Sequence, residues 1–330
     1  MLRYAIKRFL YMVLLLWIIS IVSYIIIELP PGDYVSTLVA QRGAQGEFVD
    51  DSEIDALKRE FGLDQPAFVR YFLWMGKVLR GNFGRSFKYN LPVRDLLLER
   101  LPLTVFINLC ATVFVYLVAV PIGIYSATHQ YSVGDYTFAV VGFIGLAIPN
   151  FFLALALLFF FHKYFDFGAG GLFSPEYRLA AWSFAKFIDM LKHLVVAIVV
   201  EGTAGTAGLI RVMRGCLLDE IRKQYVVTAR AKGLSEQRLL MKYPIRVAIN
   251  PIVSTIGWMI PGIVSGGAIV EIVLSLPTIG PLIPSALLSQ DMHLAGSAVM
   301  ILAFLTIIGT FVSDVLLVVV DPRIKYERQA

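Results

Sequence analysis

Six long runs of apolar residues divide this chain, at Leu10–Ile27, Leu103–Ala127, Phe138–Phe161, Leu194–Ile210, Ile249–Leu274 and Ala295–Val320. A helix that crosses a bilayer needs about 20 mainly apolar residues, because in hydrocarbon every backbone N–H and C=O must be satisfied within the segment. The pattern predicts an all-α integral membrane protein with six transmembrane helices. The first run follows Arg3, Lys7 and Arg8 and ends at Glu28-Leu-Pro-Pro-Gly without a small-residue cleavage site, so it reads as an uncleaved span rather than a signal peptide.

Polar positions organise what lies between. Residues 29–101 form a polar stretch that reads as a small external subdomain. Within it, Ser52 to Phe61 ends at Gly62 as a helix should, and Asp64 with Pro66 opens a second amphipathic run containing Phe68, Phe72, Met75 and Leu79. The chain thus divides into a tip and first helix (1–28), the external subdomain (29–101), a core carrying helices two to six (102–320) and a tail (321–330).

Charge sets the orientation. The loop 211–247 holds Arg211, Arg214, Arg222, Lys223, Arg230, Lys232, Arg238, Lys242 and Arg246 against Asp219, Glu220 and Glu236, which makes it cytoplasmic by the positive-inside rule. Alternation then puts both termini in the cytoplasm, in agreement with Arg3, Lys7 and Arg8 at one end and Arg323, Lys325 and Arg328 at the other. Two connections fit less well: Thr128–Thr137 should be internal yet lacks Lys and Arg, and Lys163–His193 should be external yet carries several.

At 58% hydrophobic and 16% charged residues, the 330-residue chain is too apolar for an ordinary soluble domain. The formal charge of +5 belongs to residues beside the spans, so it indicates topology rather than nucleic-acid binding. Cys110 and Cys216 supply neither a disulfide framework nor a metal site. There is no G-x-x-x-x-G-K-S/T phosphate loop and no H-E-x-x-H, and His129, His162, His193 and His293 are dispersed. No catalytic, cofactor-binding or metal-binding residues are expected.

Several short strings point to one family. From Tyr225 the chain reads Tyr-Val-Val-Thr-Ala-Arg-Ala-Lys-Gly-Leu-Ser-Glu-Gln-Arg, and around it stand Arg80-Gly-Asn-Phe-Gly-Arg-Ser-Phe87, Glu99-Arg-Leu-Pro-Leu-Thr104, Ile148-Pro-Asn-Phe151, Gly267-Ala-Ile-Val-Glu271, Pro277-Thr-Ile-Gly280 and Asp321-Pro-Arg323. In order and spacing these resemble the permeases of binding-protein-dependent ABC importers, in particular the first permease subunit of the dipeptide/oligopeptide branch. The 225 segment is similar to that family's cytoplasmic coupling loop, commonly Glu-Ala-Ala, three residues, then Gly. Gly233 sets the register, placing Val227, Thr228 and Ala229 on the Glu-Ala-Ala, so this chain departs at the first two positions.

The resemblance implies the ABC importer type I permease fold, in a bacterial or archaeal plasma membrane. The expected partners are a second homologous permease, two ATP-binding subunits that carry ATP and Mg, a periplasmic or lipid-anchored solute-binding protein and membrane lipid, with no nucleic acid. ATPase coupling falls to Val227, Thr228, Ala229, Arg230, Ala231, Lys232, Gly233 and Leu234, with Arg230 and Lys232 as polar handles and small Thr228 and Ala229 allowing close approach. Peptides lead as substrate, with oligosaccharides, opines and nickel complexes moved by relatives.

Pathway candidates come from residues that a membrane span tolerates at a cost. Pro121, Pro149 and Pro261 each remove a helix hydrogen bond, and Pro149 beside Asn150 is the preferred gating site. Glu201, Glu271 and Asp314 are ionisable groups in or near spans. Glu201 opens a small-residue stretch, Glu201-Gly-Thr-Ala-Gly-Thr-Ala-Gly208, suited to close helix packing. The same residue would serve a rival reading, a secondary transporter with Glu201 as its ion site, against which stands the coupling-loop pattern. A membrane enzyme is disfavoured because no nucleophile–base pair or metal-ligand spacing emerges.

Overall fold

The computed structural model describes residues 2–28, 39, 43, 50–60, 65–86, 88–265, 267–289 and 291–320. Its elements are helical throughout: α1 (Leu2–Glu28), α2 (Asp51–Glu60), α3 (Ala67–Leu79), α4 (Val93–Thr128), α5 (Val133–Ala147), α6 (Asn150–Phe165), α7 (Phe184–Ile221), α8 (Gln224–Ala231), α9 (Glu236–Lys242), α10 (Pro244–Ser265), α11 (Ala268–Val273), α12 (Ile279–Leu288) and α13 (Met292–Val320), with a 3₁₀ turn at Pro175–Tyr177.

Each predicted apolar run lies on a helix, with two corrections to the six simple spans. Among the described residues four helices are long and apolar enough to cross a membrane, at Ile6–Glu28, Val93–Thr128, Phe184–Ile221 and Met292–Val315. The third run is not one rod: α5 and α6 meet at a 104° bend, and only taken together do they pass as a fifth span. Pro149 stands at that bend. Its ring cannot supply an N–H to continue α5, while its carbonyl accepts the Phe152 and Leu153 amides that start α6. The fifth run is likewise interrupted, α10 ending at Ser265 before α11 begins at Ala268. Pro121 and Pro261, by contrast, are carried inside α4 and α10.

Two compact units share the chain, one from residues 1–99 and 282–304, the other from 100–281 and 305–330. In the first, helix α3 is tied to α1. The Arg70 guanidinium lies 2.8 Å from the Glu28 carboxylate, Ser20 and Tyr71 share a 2.7 Å hydrogen bond, and the Tyr24 ring packs on Tyr71 and the buried Trp74. Pro66 occupies the N-cap of α3, one place earlier than a helix-opening proline, while Gly62 and Asp64 lie outside the described residues. Asp291, fully buried, accepts from the Ser86 hydroxyl, the Lys88 amide and the Leu294 amide, which pins the 82–92 segment to the start of α13.

The spine of the second unit is α7. Its first half packs Leu194, Ala197 and Val200 against Ile107 and Leu274, and its second half packs Met213 and Leu217 against Val115, Ala119, Ile245 and Ile252. Between the two lies the small-residue stretch, and the close approach expected of it is present. A Cβ added at Gly202 would sit 2.5 Å from the Phe114 ring, and one added at Gly145 of α5 would sit 2.7 Å from Thr203. Without side chains at these points the helix backbones come together, the usual means of packing helices where lipid offers no hydrophobic drive. In the second turn of α7, Asp189 accepts from the Ser174 amide and hydroxyl at 2.8 and 2.7 Å, ordering the connection from α6.

Candidate functional site

The segment after α7 folds as a tight helix–turn–helix. Short helices are marginal in water by themselves, so α8 and α9 need a shared core. They have one: Val226, Ala229 and Leu239 are buried together, with Leu234 and Tyr243 at the edge. The reversal between them rests on Gly233 at φ +81°, whose amide donates to the Arg230 carbonyl at 3.0 Å. A left-handed residue just past a helix end is cheap for glycine and strained for other residues.

Polar contacts fix the unit at both ends. At its entrance the Glu220 carboxylate accepts from Lys223 Nζ at 2.6 Å and from the Tyr225 hydroxyl at 2.5 Å. Burial, followed by the Glu220 carboxylate it donates to, pushes the Tyr225 phenol up to about 12, so it stays protonated and donating at any physiological pH. Across the turn, Arg230 donates from Nε and Nη2 to the two Glu236 oxygens at 2.5 and 3.1 Å, a bidentate clip between α8 and α9.

The coupling candidates therefore separate by face. Tyr225, Val227 and Thr228 are exposed on α8, Val227 at 48%, with Arg230, Ala231, Lys232 and Gly233 continuing the exposed edge. Ala229 is not available for close approach to a partner, because it is turned inward against Leu239. Arg230 is exposed but already engaged by Glu236, which leaves Lys232 as the cation of the pair with no carboxylate partner among the described residues. Leu234 is half-buried at the rim of the core.

Of the pathway candidates, Glu201 and Glu271 come together about Gly267 and Ala268. A Cβ at Gly267 would lie 2.6 Å from a Glu201 carboxylate oxygen, and one at Gly280 would collide with Glu271 and with Ala268. Both Glu201 oxygens are buried without a donor among the described residues. Glu271 is fully buried and one of its oxygens accepts from the Thr278 hydroxyl at 2.9 Å. The neighbouring Ile279 amide donates to Thr104 Oγ1 at 3.0 Å, so this carboxylate fastens the turn before α12 beside α4. Pro149 and Asn150 stand at the α5–α6 bend, and Pro261 backs onto Gly309 of α13.

Thr104 and Thr278 were not singled out from the sequence, although both lie in strings that carried the family resemblance. The Asp135–Arg214 pair, closed by contacts of 3.1 and 2.9 Å, gave no local signal because its members are 79 residues apart.

The family described as "Binding-protein-dependent transport system inner membrane component" matches residues 119–326, and its N-terminal counterpart matches residues 1–108. An oligopeptide transport system permease protein of Bacillus subtilis is 32% identical over 99% of this chain and 100% of its own length. An inner membrane ABC transporter permease protein of Escherichia coli O157:H7 is 31% identical, covering 98% of this chain and 99% of its own. A dipeptide transport system permease protein of Escherichia coli K12 is 27% identical over 94% of this chain and 95% of its own length.

Proposed function

Since the chain belongs to the family of inner-membrane components of binding-protein-dependent transport systems, we propose that it is one of two permease halves of an ATP-driven peptide importer. Peptides are the substrate class because full-length relatives carry oligopeptide and dipeptide transport in their names. Transport is this subunit's task, and ATP hydrolysis falls to two partner subunits.

The observation that carries the mechanism is the helix–turn–helix at 224–242. It has its own core, a bidentate clip and an exposed face, and it follows directly on α7, the spine of its unit. An ATP-binding subunit seated on Tyr225, Val227, Thr228 and Lys232 would push against a body that does not deform internally. The push passes to α7 through Glu220, which holds Lys223 and Tyr225. Alternating access then follows if the partner favours one of two arrangements of α7 and its neighbours. With the 224–242 element and both termini in the cytoplasm, the 166–183 connection faces the solute-binding protein outside.

Purification of the tagged chain from its native membrane under mild detergent, with mass spectrometry of what co-purifies, tests this reading. A second permease together with ATP-binding chains is the expected result. Repeated recovery of this chain alone, in a form that still transports in vesicles, would overturn it in favour of a self-sufficient transporter using Glu201.

A further inference from the structure

Near the end of α7 that leads into the coupling element, a cavity of about 270 Å³ opens beside α5. Two arginines of α7 border it, and their circumstances differ. Arg214 is spoken for: Asp135 accepts from its Nε and Nη2, and that carboxylate is buried. Arg211 is exposed, has no carboxylate partner among the described residues, and lies with its guanidinium 5.6 Å from the centre of the Phe143 ring. Tyr131 and Tyr136 complete the polar mouth.

Behind the mouth the walls turn apolar, with Phe143 and Leu146 on one side and Ile210 on the other. The floor is built from small residues, since a Cβ at Gly142 would already be in contact with Ala207 at 3.4 Å. The α5 surface beside the opening exposes Val133, Val140, Val141 and Ile144, as a helix does where it meets hydrocarbon. An uncompensated guanidinium at such a border is costly unless it reaches a counter-charge, and tyrosines mark the depth where headgroups lie. Arginine suits a phosphate there because its planar fork can donate two bonds at once.

We propose that this groove binds one anionic phospholipid, its phosphate on Arg211 and one acyl chain in the slot over Gly142 and Ala207. A soluble anion would leave the apolar slot unused. A helix of a second permease would fill the slot but would have to bring a carboxylate to Arg211. A lipid satisfies both halves of the groove, and it would be held next to the helix end on which the coupling element is mounted.

Native mass spectrometry of the detergent-purified assembly, incubated with equal amounts of phosphatidylglycerol and phosphatidylcholine, tests the site. The wild type is expected to retain one phosphatidylglycerol per chain in preference to phosphatidylcholine. Arg211→Gln should lower that preference about fivefold, the effect of one basic residue near an anionic surface, and Arg211→Lys should keep most of it. Arg246→Gln, removing an exposed basic residue away from the groove, should change nothing. Equal retention of the two lipids by the wild type, or an unchanged preference in Arg211→Gln, would overturn the proposal. So would efficient photo-cross-linking from a probe on Ala139→Cys, an exposed residue in the lining, to a second permease chain in the intact assembly, which would put protein in the groove. Lipid retention is read independently of what the importer carries, so failure here and failure of the peptide reading are distinguishable.

Discussion

Two neighbouring positions of the 224–242 helix–turn–helix behave in opposite ways. Thr228 points outward and Ala229 inward, against Leu239, so equal-sized substitutions at them should differ in kind. Ala229→Leu overfills a closed core and should destabilise the unit by about 1–3 kcal/mol, whereas Thr228→Leu should leave its fold intact and weaken only partner docking. Hydrogen exchange across residues 224–242 separates the two outcomes. Gly233 gives a third case. The space around a Cβ there is open, so the cost of Gly233→Leu is conformational, about 1–2 kcal/mol for a left-handed non-glycine residue. Pull-down of the ATP-binding chain and substrate-stimulated ATP turnover should both fall while membrane insertion is kept.

The Arg230–Glu236 clip has a definite pH dependence. The guanidinium holds the Glu236 carboxyl below the usual carboxylate range, and Glu236 in turn raises Arg230. A carboxyl with a depressed folded-state pKa contributes stability that is present above its unfolded pKa and is lost as pH falls through the folded one. Exchange protection of 224–242 should therefore be flat through neutral pH and fall in acid, beginning where a free glutamate titrates and ending below it. Glu236→Gln should flatten that acid limb.

On the scale of elements, hydropathy marked where helices are needed but not where they break. The runs around Leu103–Ala127 and Leu194–Ile210 sit inside the long helices α4 and α7, because uninterrupted apolar sequence leaves the backbone no cheaper option in a membrane. Phe138–Phe161 reads equally apolar, yet the chain turns by 104° within it. Proline is compatible with either outcome: Pro121 is absorbed inside α4 while Pro149 ends α5, and the choice is made by surrounding packing that a single run does not encode. Glu271 offers a comparable lesson, since its fastening of the Pro277–Gly280 turn is visible only once Thr278 folds back seven residues to reach it. Thr278→Val deprives a buried carboxylate of a donor and should cost about 1–3 kcal/mol, read as a lower thermal midpoint in detergent; Thr137→Val, which loses only an exposed bond to its own helix, should shift it little.

Across the whole molecule, the sequence made the membrane class and the family readable because both depend on contiguous residues. The parts that had to be seen are contacts between distant positions, such as Arg214 with Asp135 and Glu201 against Gly267. The charges of the 211–247 loop also had two meanings, an orientation signal and a set of specific bonds. Lys223, Arg214 and Arg230 turn out to be used within the chain, while Val227 and Lys232 remain on its exposed edge.

On the reading proposed above, this edge is where an ATP-binding subunit engages. Cysteine-specific photo-cross-linking in native membranes addresses it directly, with probes at Val227→Cys, Thr228→Cys and, on the 166–183 connection, the fully exposed Leu179→Cys. Adducts of the first two with an ATP-binding chain are expected, and none from Leu179. Adducts from Leu179 to that chain, or their absence from both Val227 and Thr228 in a membrane that is transporting, would contradict it.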